Sequence, residues 1–387
     1  MSRILPLFSL IAAAVLVAQS GQCAPAGAAQ KKKPFESIEA IIASHGVTAT
    51  TPGVGVCLIP AKGPPRTVIV GKADIEEKQD IKSNTVFELA SCSKPFTATA
   101  ILLLHDQGKL SIDDPVRKHI PELPNYQKGK TLTIRHLLHH TGGLPDYFDL
   151  DWPSPKGRKF IVNEDLVPEF AAQRAKHPAP FAPGDKYEYS NTGFALLSVI
   201  VARVSKQPFG EFMHEHLFVP LKMSHTFVLD RPGGWKLAKD PAPKAVAYEF
   251  DKKKQAWVAS WGAPPRRHEE NLVVGDGGVW TSLDDMQKWD KNVRERGLLK
   301  PETWAMALTP SVTADKKTND YGLGWGLDLG DKNKLMGFGH GGSWSGFKTE
   351  YHLDLAKNRS VIVLSNRGGF DTDKFADQVF EWADRNP

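Results

Sequence analysis

The chain has 387 residues, of which 41% are hydrophobic and 24% are charged, the balance of a globular protein with a substantial core. Its formal net charge of +5 is small for this length, and no arginine-rich run or aromatic-and-basic stripe accompanies it. These features argue against a nucleic-acid partner. The cysteines, Cys23, Cys57 and Cys92, are too few for a disulfide framework. Cys57 and Cys92 are either a pair or two buried thiols.

The N-terminus has the character of an export signal. A short positive start, Met1 to Arg3, precedes residues 4–18, which are nearly all apolar and rich in Ala, Leu and Val. This run is short for a membrane-spanning helix. We therefore predict a signal peptide over 1–20, a flexible tether over 21–34 and an exported mature chain, periplasmic or secreted, with no integral membrane segment. Lipid attachment at Cys23 is the alternative.

Helical and strand-like patterns follow the tether in a definite order. A helix predicted near 37–45 precedes β-rich runs at 54–59 and 67–70, which indicate a hairpin. An apolar helix begins at Lys94 and ends at Gly108. The segment from about 113 to 266 is punctuated by prolines and predicts helices such as 135–139 and 192–205. The last third predicts a helix at 283–294, strands at 321–327, 347–353 and 360–364, and a final helix at 373–385.

Together these pieces predict one α/β (α+β) domain over residues 35–387. Strands from both ends of the chain would form a single antiparallel sheet, flanked by the N- and C-terminal helices. An all-helical lobe, roughly residues 113–266, would be inserted beside the sheet. The cleft at such a lobe boundary is where small-molecule sites usually lie.

The first motif whose residues could carry out a reaction is Ser91-Cys92-Ser93-Lys94, where an extended segment meets the apolar helix. Helix positions three apart share a face, so the Lys94 amine can meet the Ser91 hydroxyl. Burial would lower the pKa of the ammonium and let the amine accept the serine proton. The same spacing also arises by chance, as a helix-capping serine followed by a surface lysine.

The second motif is Tyr189-Ser190-Asn191, directly before the helix predicted at 192–205. The phenol of Tyr189 could relay the serine's proton. The amide of Asn191 offers both a donor and an acceptor to a substrate amide. Taken alone, the segment is equally compatible with a turn that carries a buried tyrosine.

The third motif is His340-Gly341-Gly342-Ser343, on a β edge rich in glycine. Glycines let a substrate backbone lie against the strand, so a main-chain N–H here can face an oxyanion. His340 could carry charge towards a substrate carboxylate or leaving group. A glycine-rich hairpin without chemistry is the alternative interpretation.

In this order and these contexts, the three motifs resemble those of the serine β-lactamase-related family. That family includes class C β-lactamases, D-alanyl-D-alanine carboxypeptidases, D-aminopeptidases and related esterases. The resemblance runs from about residue 53 to the C-terminus and includes LSIDDP at 110–115, LTIRHLLHHTGGL at 132–144, GDGGVWTSLDD at 275–285 and YGLGW at 321–325. It implies a β-lactamase/transpeptidase-like fold.

The resemblance also implies a role for each motif residue. Ser91 would be the acylated nucleophile, Lys94 its proton partner and Tyr189 the catalytic tyrosine. The backbone N–H groups of Ser91 and Ser343 would form an oxyanion hole. His340 stands where class C β-lactamases carry the lysine of Lys-Thr-Gly, a departure that argues against β-lactam hydrolysis. The implied substrate-binding set is Asn191, His340, Gly342 and Ser343.

The predicted function is therefore an exported serine hydrolase that cleaves an amide or ester bond through a Ser91 acyl-enzyme. Its substrate would be a small molecule or peptide, such as a cell-wall D-amino-acid peptide or an ester. D-Ala-D-Ala carboxypeptidase, D-aminopeptidase, promiscuous esterase and β-lactamase activities remain alternatives, and a catalytically silent cell-wall-binding module is the alternative outside enzymes.

A cluster of three histidines, His136, His139 and His140, suggests zinc at first sight. The spacing has a histidine where the related zinc motif needs a glutamate, and no third carboxylate ligand is apparent. We therefore expect neither a metal nor an organic cofactor.

Overall fold

The computed structural model describes residues 34–125, 129–151, 160–237, 242–261 and 271–386. The predicted signal peptide and nearly all of the predicted tether, including Cys23, lie outside the described residues. Residues Phe35–Pro387 form one unit. Within the described ranges, no helix combines the length and the apolar character that crossing a bilayer requires.

Ten α-helices lie in the described residues. Serine or threonine side chains cap the N-termini of several of them, as when Ser37 accepts the N–H of Ala40 and Ser190 accepts that of Gly193. The six predicted helices are present, as α1, α2, α4, α6, α8 and α10. The helices are α1 Ile38–Ser44, α2 Lys94–Asp106, α3 Val116–His119, α4 Ile134–Leu138, α5 Asn163–Gln173, α6 Asn191–Ser205, α7 Phe209–Met213, α8 Leu283–Arg294, α9 Pro301–Ala307 and α10 Thr372–Arg385.

The described residues also form fifteen strands, several of only two residues. The strands are β1 Val54–Ile59, β2 Arg66–Val70, β3 Lys72–Asp74, β4 Gln79–Asp80, β5 Phe87–Glu88, β6 Ile161–Val162, β7 Phe227–Val228, β8 Ala247–Asp251, β9 Ala256–Trp261, β10 Asn271–Leu272, β11 Val279–Thr281, β12 Gly326–Leu329, β13 Leu335–Trp344, β14 Phe347–Asp354 and β15 Arg359–Ser365.

The main sheet has six strands in the order β12-β13-β14-β15-β1-β2. All neighbouring pairs are antiparallel, and the two ends of the chain meet where β1 pairs with β15. Because side chains alternate along a strand, β15 serves two cores. Val361 and Val363 pack with residues of α1 and α10, whereas Ile362 and Leu364 belong to the larger core on the other face. The predicted fold class, with terminal helices flanking an antiparallel sheet, is confirmed.

The segment 113–266 differs in one respect from the all-helical lobe that the sequence predicts. Besides α3–α7 it contains β6, β7 and the antiparallel hairpin β8–β9, which pairs Ala247 with Trp261. Aromatic and β-branched residues such as Tyr248 and Val258 favour the extended conformation there. The prolines and lysines around them hide this short alternation in the sequence.

Two smaller expectations are also settled within the described residues. The strand predicted at 321–327 begins later, as β12 at Gly326, and extends to Leu329, because Gly324 turns the chain with a φ of +83°. Cys57 and Cys92 are both free and buried. The Cys92 thiol donates to the carbonyl oxygen of His340 at 2.6 Å, so it ties the serine-bearing turn to β13.

Candidate active site

Ser91 lies in a 3₁₀ turn, Ala90–Ser93, directly before α2. In a 3₁₀ turn, side chains three positions apart eclipse each other. Lys94 is the first residue of α2. Its side chain therefore lies on the same side of the turn as that of Ser91, and its Nζ is 3.0 Å from the serine Oγ. The structure brings together the pair that the local spacing predicts.

The backbone immediately before the nucleophile is strained and held in place. Ala90 has a φ of +50°, which is uncommon for a residue with a side chain. The buried carboxyl of Glu88 accepts the N–H of Ala90 at 2.9 Å and that of Gly278 at 2.8 Å. Burial raises the pKa of Glu88 to about 7, while these two N–H donors act in the opposite direction. Sequence reasoning missed Glu88, although an acid three positions before the serine was visible.

The Lys94 side chain is fully buried, and its Nζ donates three hydrogen bonds. Besides Ser91, its Nζ donates to Oδ1 of Asn191 at 3.0 Å and to the carbonyl oxygen of Asp276 at 2.9 Å, which uses all three donors of an ammonium. Burial lowers the pKa of Lys94 to about 8, although the nearby carboxylate of Asp276 opposes this shift. A neutral amine beside a serine hydroxyl is thus accessible near neutral pH.

Tyr189 comes from the extended segment just before α6 and lines the same pocket as Ser91. Lys94 Nζ lies 4.8 Å from the centroid of its ring, and the residue is 40% exposed. Burial of the phenol group raises its pKa above the ordinary value, while its interaction with Ser91 acts in the opposite direction. Tyr189 is therefore protonated at neutral pH, and Lys94 is the better acceptor for the serine proton.

The three clustered histidines have structural partners, and His139 contacts the backbone of Tyr321 and Gly322. The ring of His140 packs on that of Tyr189, with 4.2 Å between centroids, and its Nδ1 accepts the N–H of Ser190 at 3.1 Å. His136 helps to cap α4 through Thr133. Burial lowers the pKa of His140 well below its usual value and that of His139 to about 4. Across the described ranges, no three His, Cys, Asp or Glu side chains are grouped so that they could hold a metal ion.

His340 lies on β13 just past the point where β12 stops pairing, at Gly326 opposite Gly339. Its Nδ1 is 2.6 Å from the carbonyl oxygen of Gly341, which can only accept, so Nδ1 carries the proton. Nε2 then accepts from the hydroxyl of Tyr321 at 2.9 Å. Burial, followed by the charge of Lys94, lowers the pKa of His340 to about 3.

The neutral state of His340 differs from the expectation that this residue carries charge towards a substrate. The physical reason is its burial, because an imidazolium in this position would be desolvated beside the Lys94 ammonium. The residue is in the predicted place, next to Ser91 and Tyr189 along one pocket.

Gly342 permits β13 to lie directly against the serine-bearing segment. A Cβ at this position would come within 2.3 Å of the carbonyl oxygen of Leu89 and of Thr349 Oγ1. Thr349 itself donates to that carbonyl oxygen at 2.7 Å. A side chain at position 342 would therefore push the strand away from Ser91.

Lys348 is a charged residue of the site that sequence reasoning missed. It pairs with Ser343 across the β13–β14 hairpin, and its Nζ donates to the Ser343 hydroxyl at 2.6 Å. The signal was present in the sequence, because Ser345 and Gly346, both with positive φ, form the two-residue turn that sets this register. Lys348 lines the pocket that contains Ser91.

An aromatic cavity opens on the other side of the nucleophile. It has a volume of about 300 Å³ and is lined by Ser91, Asn191 and Ser343 together with Tyr147, Phe148, Trp280 and Trp344. The rings of Phe148 and Trp344 have centroids 5.6 Å apart. Six of the seven predicted site residues thus line two pockets that meet at Ser91, and the seventh, Lys94, is buried next to Ser91 and Asn191.

Comparison with known proteins identifies the family of this chain. The family described as Beta-lactamase matches residues 36–383. Penicillin-binding protein 4* of Bacillus subtilis is 33% identical over 305 residues, which are 77% of this chain and 64% of that protein. Protein flp of Staphylococcus aureus is 27% identical, over 76% of this chain and 56% of its own length. The chain therefore covers less than two thirds of the length of these relatives.

Solved structures share the fold. A penicillin-binding protein from Bacillus halodurans superimposes with a TM-score of 0.71 and 25% identity, covering 91% of this chain and 100% of that one. The D-amino acid amidase of Ochrobactrum anthropi superimposes with a TM-score of 0.69 and 22% identity, covering 90% and 98%. By sequence, fold and the arrangement around Ser91, this chain belongs to the beta-lactamase family of serine hydrolases.

Proposed function

We propose that this protein hydrolyses an amide or ester bond through an acyl-enzyme formed on Ser91. The observation that carries the proposal is the buried Lys94, whose Nζ lies 3.0 Å from the serine Oγ and whose pKa falls to about 8. A hydroxyl becomes a nucleophile when a base at hydrogen-bond distance can take its proton.

In the acylation step, Ser91 Oγ attacks the substrate carbonyl carbon while its proton passes to Lys94 Nζ. The carbonyl oxygen becomes an oxyanion, which we assign to the backbone N–H groups of Ser91 and Ser343. The carbon–nitrogen or carbon–oxygen bond then breaks, and the leaving group takes a proton from Lys94 through the protonated phenol of Tyr189. The side-chain amide of Asn191, whose Oδ1 is held by Lys94, keeps its N–H donors for the substrate.

In the second step, water attacks the acyl-enzyme carbonyl. Lys94, restored to the neutral amine, takes the water's proton, directly or through Tyr189. Collapse of the oxyanion releases the acid and returns the proton to Ser91. In both steps, the groups that we assign as acid, base and oxyanion donor belong to this chain and surround one crevice.

The surroundings of Ser91 favour substrates that bring an apolar group. The aromatic cavity lined by Phe148, Trp280 and Trp344 suits such a group on the acyl or leaving side. The neutral His340 stands where class C β-lactamases carry the lysine of Lys-Thr-Gly, and this departure argues against β-lactam hydrolysis. Lys348 is the observation that favours a second candidate, a carboxypeptidase, since its ammonium borders the same pocket.

Export is also part of the proposal. Its support is the short positive start and the apolar run over residues 4–18, the pattern of a cleaved signal. Mass spectrometry of the mature protein from the producing cells tests it, because cleavage after Ser20 should leave Gly21 as the first residue. A chain that retains Met1 to Ser20 would contradict export by this route.

The test of the mechanism is Ser91→Ala, assayed with p-nitrophenyl esters. We expect ester hydrolysis to be lost while the variant stays folded. Ser93→Ala is the control, because the Ser93 hydroxyl accepts the N–H of Val279 at 3.1 Å and so has a structural partner. Unchanged turnover in Ser91→Ala would remove the proposal, and penicillin labelling of Ser91 without turnover of any ester or amide would support the silent binding module instead.

A further inference from the structure

Asp276 is a buried acid next to the base that we assign to the reaction. It lies in the segment between β10 and β11 and is 8% exposed. Its carbonyl oxygen accepts a hydrogen bond from Lys94 Nζ at 2.9 Å. Within one aspartate, the carboxyl carbon is at most about 5 Å from the carbonyl oxygen. The Asp276 carboxylate therefore also lies close to the Lys94 amine.

Two helices fix the backbone around Asp276 through side-chain hydrogen bonds. The hydroxyl of Thr97, in α2, donates to the carbonyl oxygen of Gly275 at 2.8 Å. The side-chain amide of Asn163, at the start of α5, donates to the carbonyl oxygen of Val274 and accepts the N–H of the same residue, both at 2.9 Å. Because α2 also carries Lys94, these contacts hold Asp276 in place relative to the amine.

Tyr147 orients the carboxyl group of Asp276. Its hydroxyl donates to Oδ2 of Asp276 at 3.0 Å, and its own backbone N–H is held by the hydroxyl of Thr192 at 2.8 Å. Burial raises the pKa of Asp276, whereas the charge of Lys94 and the hydroxyl of Tyr147 act in the opposite direction and favour the carboxylate. A base that is held by a third, oriented group is the general arrangement of an activated nucleophile.

Asp276 is the main source of negative charge at Lys94. The other titratable groups around the amine are those of Glu88, Cys92, His140, Asp146, Tyr189 and His340. Burial shifts the pKa of the thiol, of the phenol and of both imidazoles so that these four groups are uncharged at neutral pH. Among the carboxylates, Asp276 opposes the effect of burial on the pKa of Lys94 most strongly, ahead of Asp146 and Glu88.

We propose that Asp276 is a positioning residue of the proton transfer, whose carboxylate stabilises the Lys94 ammonium that forms as Ser91 attacks the substrate carbonyl. This proposal rests on the acyl-enzyme function proposed above and adds a third group to the pair of Ser91 and Lys94. The serine proton still passes to Lys94 Nζ, and Asp276 neither gains nor loses a proton. A charge that develops beside a fixed, buried group of opposite charge is stabilised more strongly than in water. The same carboxylate makes Lys94 a stronger base and moves the formation of its neutral amine to higher pH.

The pH profile of Asp276→Asn tests this role, because asparagine removes the charge and keeps the shape of the side chain. The measurement is kcat/KM for p-nitrophenyl acetate from about pH 5.5 to about pH 9.5. We expect the inflection to move about one pH unit below that of the wild-type protein, as is typical when a nearby opposite charge is lost. The plateau should fall about threefold, because a weaker base accepts the proton more slowly. The variant is then about threefold faster at pH 6 and about threefold slower at pH 9.5, a crossing that damage to the fold would not produce.

Asp149→Asn is the matched control. It removes the same charge from an exposed position in the turn Tyr147–Asp149, where solvent and salt screen its effect on the buried amine. This variant should keep the inflection and the plateau of the wild-type protein. Asp276→Ser also removes the carboxylate, and it carries the test if Asp276→Asn does not fold.

Two results overturn the inference: an inflection that the loss of the Asp276 carboxylate leaves in place, or a lower inflection with the plateau of the wild-type protein, which would remove Asp276 from the proton transfer. Failure of the proposed function looks different, because Ser91→Ala would then still hydrolyse p-nitrophenyl acetate. Ser91-dependent hydrolysis together with an unchanged inflection in Asp276→Asn would reject the role of Asp276 alone.

Discussion

Tyr321 donates its hydroxyl proton to Nε2 of His340 across 2.9 Å. Since Nδ1 of the same ring faces the carbonyl oxygen of Gly341 at 2.6 Å, both nitrogens are satisfied and the tautomer is fixed. The imidazole thus holds β13 and Tyr321 together beside Ser91, and it has neither a free proton nor a charge to offer a substrate at neutral pH.

The first prediction concerns this tautomer. In ¹⁵N-edited spectra of the histidine side chains, His340 should show a protonated Nδ1 and an unprotonated Nε2 from pH 5 to pH 8, because its pKa lies at about 3. Tyr321→Phe, which removes the donor to Nε2, is the matched variant and should shift the Nε2 resonance alone. A titration of His340 between pH 5 and 8 would contradict the assignment.

The second prediction is the pH dependence of turnover. Lys94 acts as a base only when neutral, and its pKa is lowered to about 8. Therefore kcat/KM for a p-nitrophenyl ester should rise about tenfold per pH unit below pH 8 and level off above it. Lys94→Arg, which stays charged, should lose about a hundredfold to ten-thousandfold in turnover. A pH profile that is flat from pH 6 to pH 9 would rule out Lys94 as the base.

A third prediction tests the close approach of β13 to the nucleophile. Gly342→Ala should destabilise the protein by about 1–3 kcal/mol and reduce ester turnover, because its Cβ would lie 2.3 Å from the Leu89 carbonyl oxygen. Gly326→Ala on β12 is the stability control, since the nearest atom to its Cβ is 3.4 Å away. Chemical denaturation measures both, and equal stability of the two variants would contradict the packing.

A fourth prediction concerns the Glu88 carboxyl, which accepts the N–H groups of the strained Ala90 and of Gly278. Glu88→Ala leaves the buried N–H groups of Ala90 and Gly278 without an acceptor, at a cost of about 1–3 kcal/mol each. Glu88→Gln keeps one acceptor oxygen and should fall between this variant and the wild-type protein in free energy of unfolding and in kcat. Wild-type stability in Glu88→Ala would show that the hydrogen bonds of Glu88 do not stabilise the Ala90–Ser93 turn.

The fifth prediction concerns the aromatic cavity. Phe148→Ala should raise KM for p-nitrophenyl phenylacetate about fivefold, from the loss of ~1 kcal/mol of apolar contact, and change KM for the acetate ester less. Phe250→Ala is the control, because Phe250 is 43% exposed and Phe148 44%, but Phe250 lies on the β8–β9 hairpin and does not line the cavity. Equal KM changes in the two variants would show that the aromatic cavity does not bind the apolar group of the ester.

Local patterns predicted most of the fold. The β-rich runs of β1 and β15 and the apolar spacing of α2 and α6 are properties of a few consecutive residues, and the structure has these elements close to their predicted bounds. The β8–β9 hairpin, with strands of five and six residues, was missed because these strands lie among prolines and lysines. The strand predicted from Tyr321 starts later because Gly324 adopts a positive φ.

In the site, too, contacts between residues close in sequence could be predicted, and contacts between distant segments could not. The proximity of Ser91 and Lys94 follows from a spacing of three residues, so sequence alone predicts it. The carbonyl of Asp276 reaches Lys94 from 182 positions away, and the charge state of His340 depends on burial and on Tyr321. Such groups become visible only when folding brings distant segments together.

Acylation of Ser91 can be observed by mass spectrometry of the intact and digested protein. After reaction with a fluorophosphonate or with penicillin, we expect one adduct, located on Ser91 in the peptide that carries Ser91 to Lys94. Ser93→Ala should be labelled and Ser91→Ala should not. An adduct on Ser93 or Ser343, or labelling that persists in Ser91→Ala, would show that Ser91 is not the nucleophile.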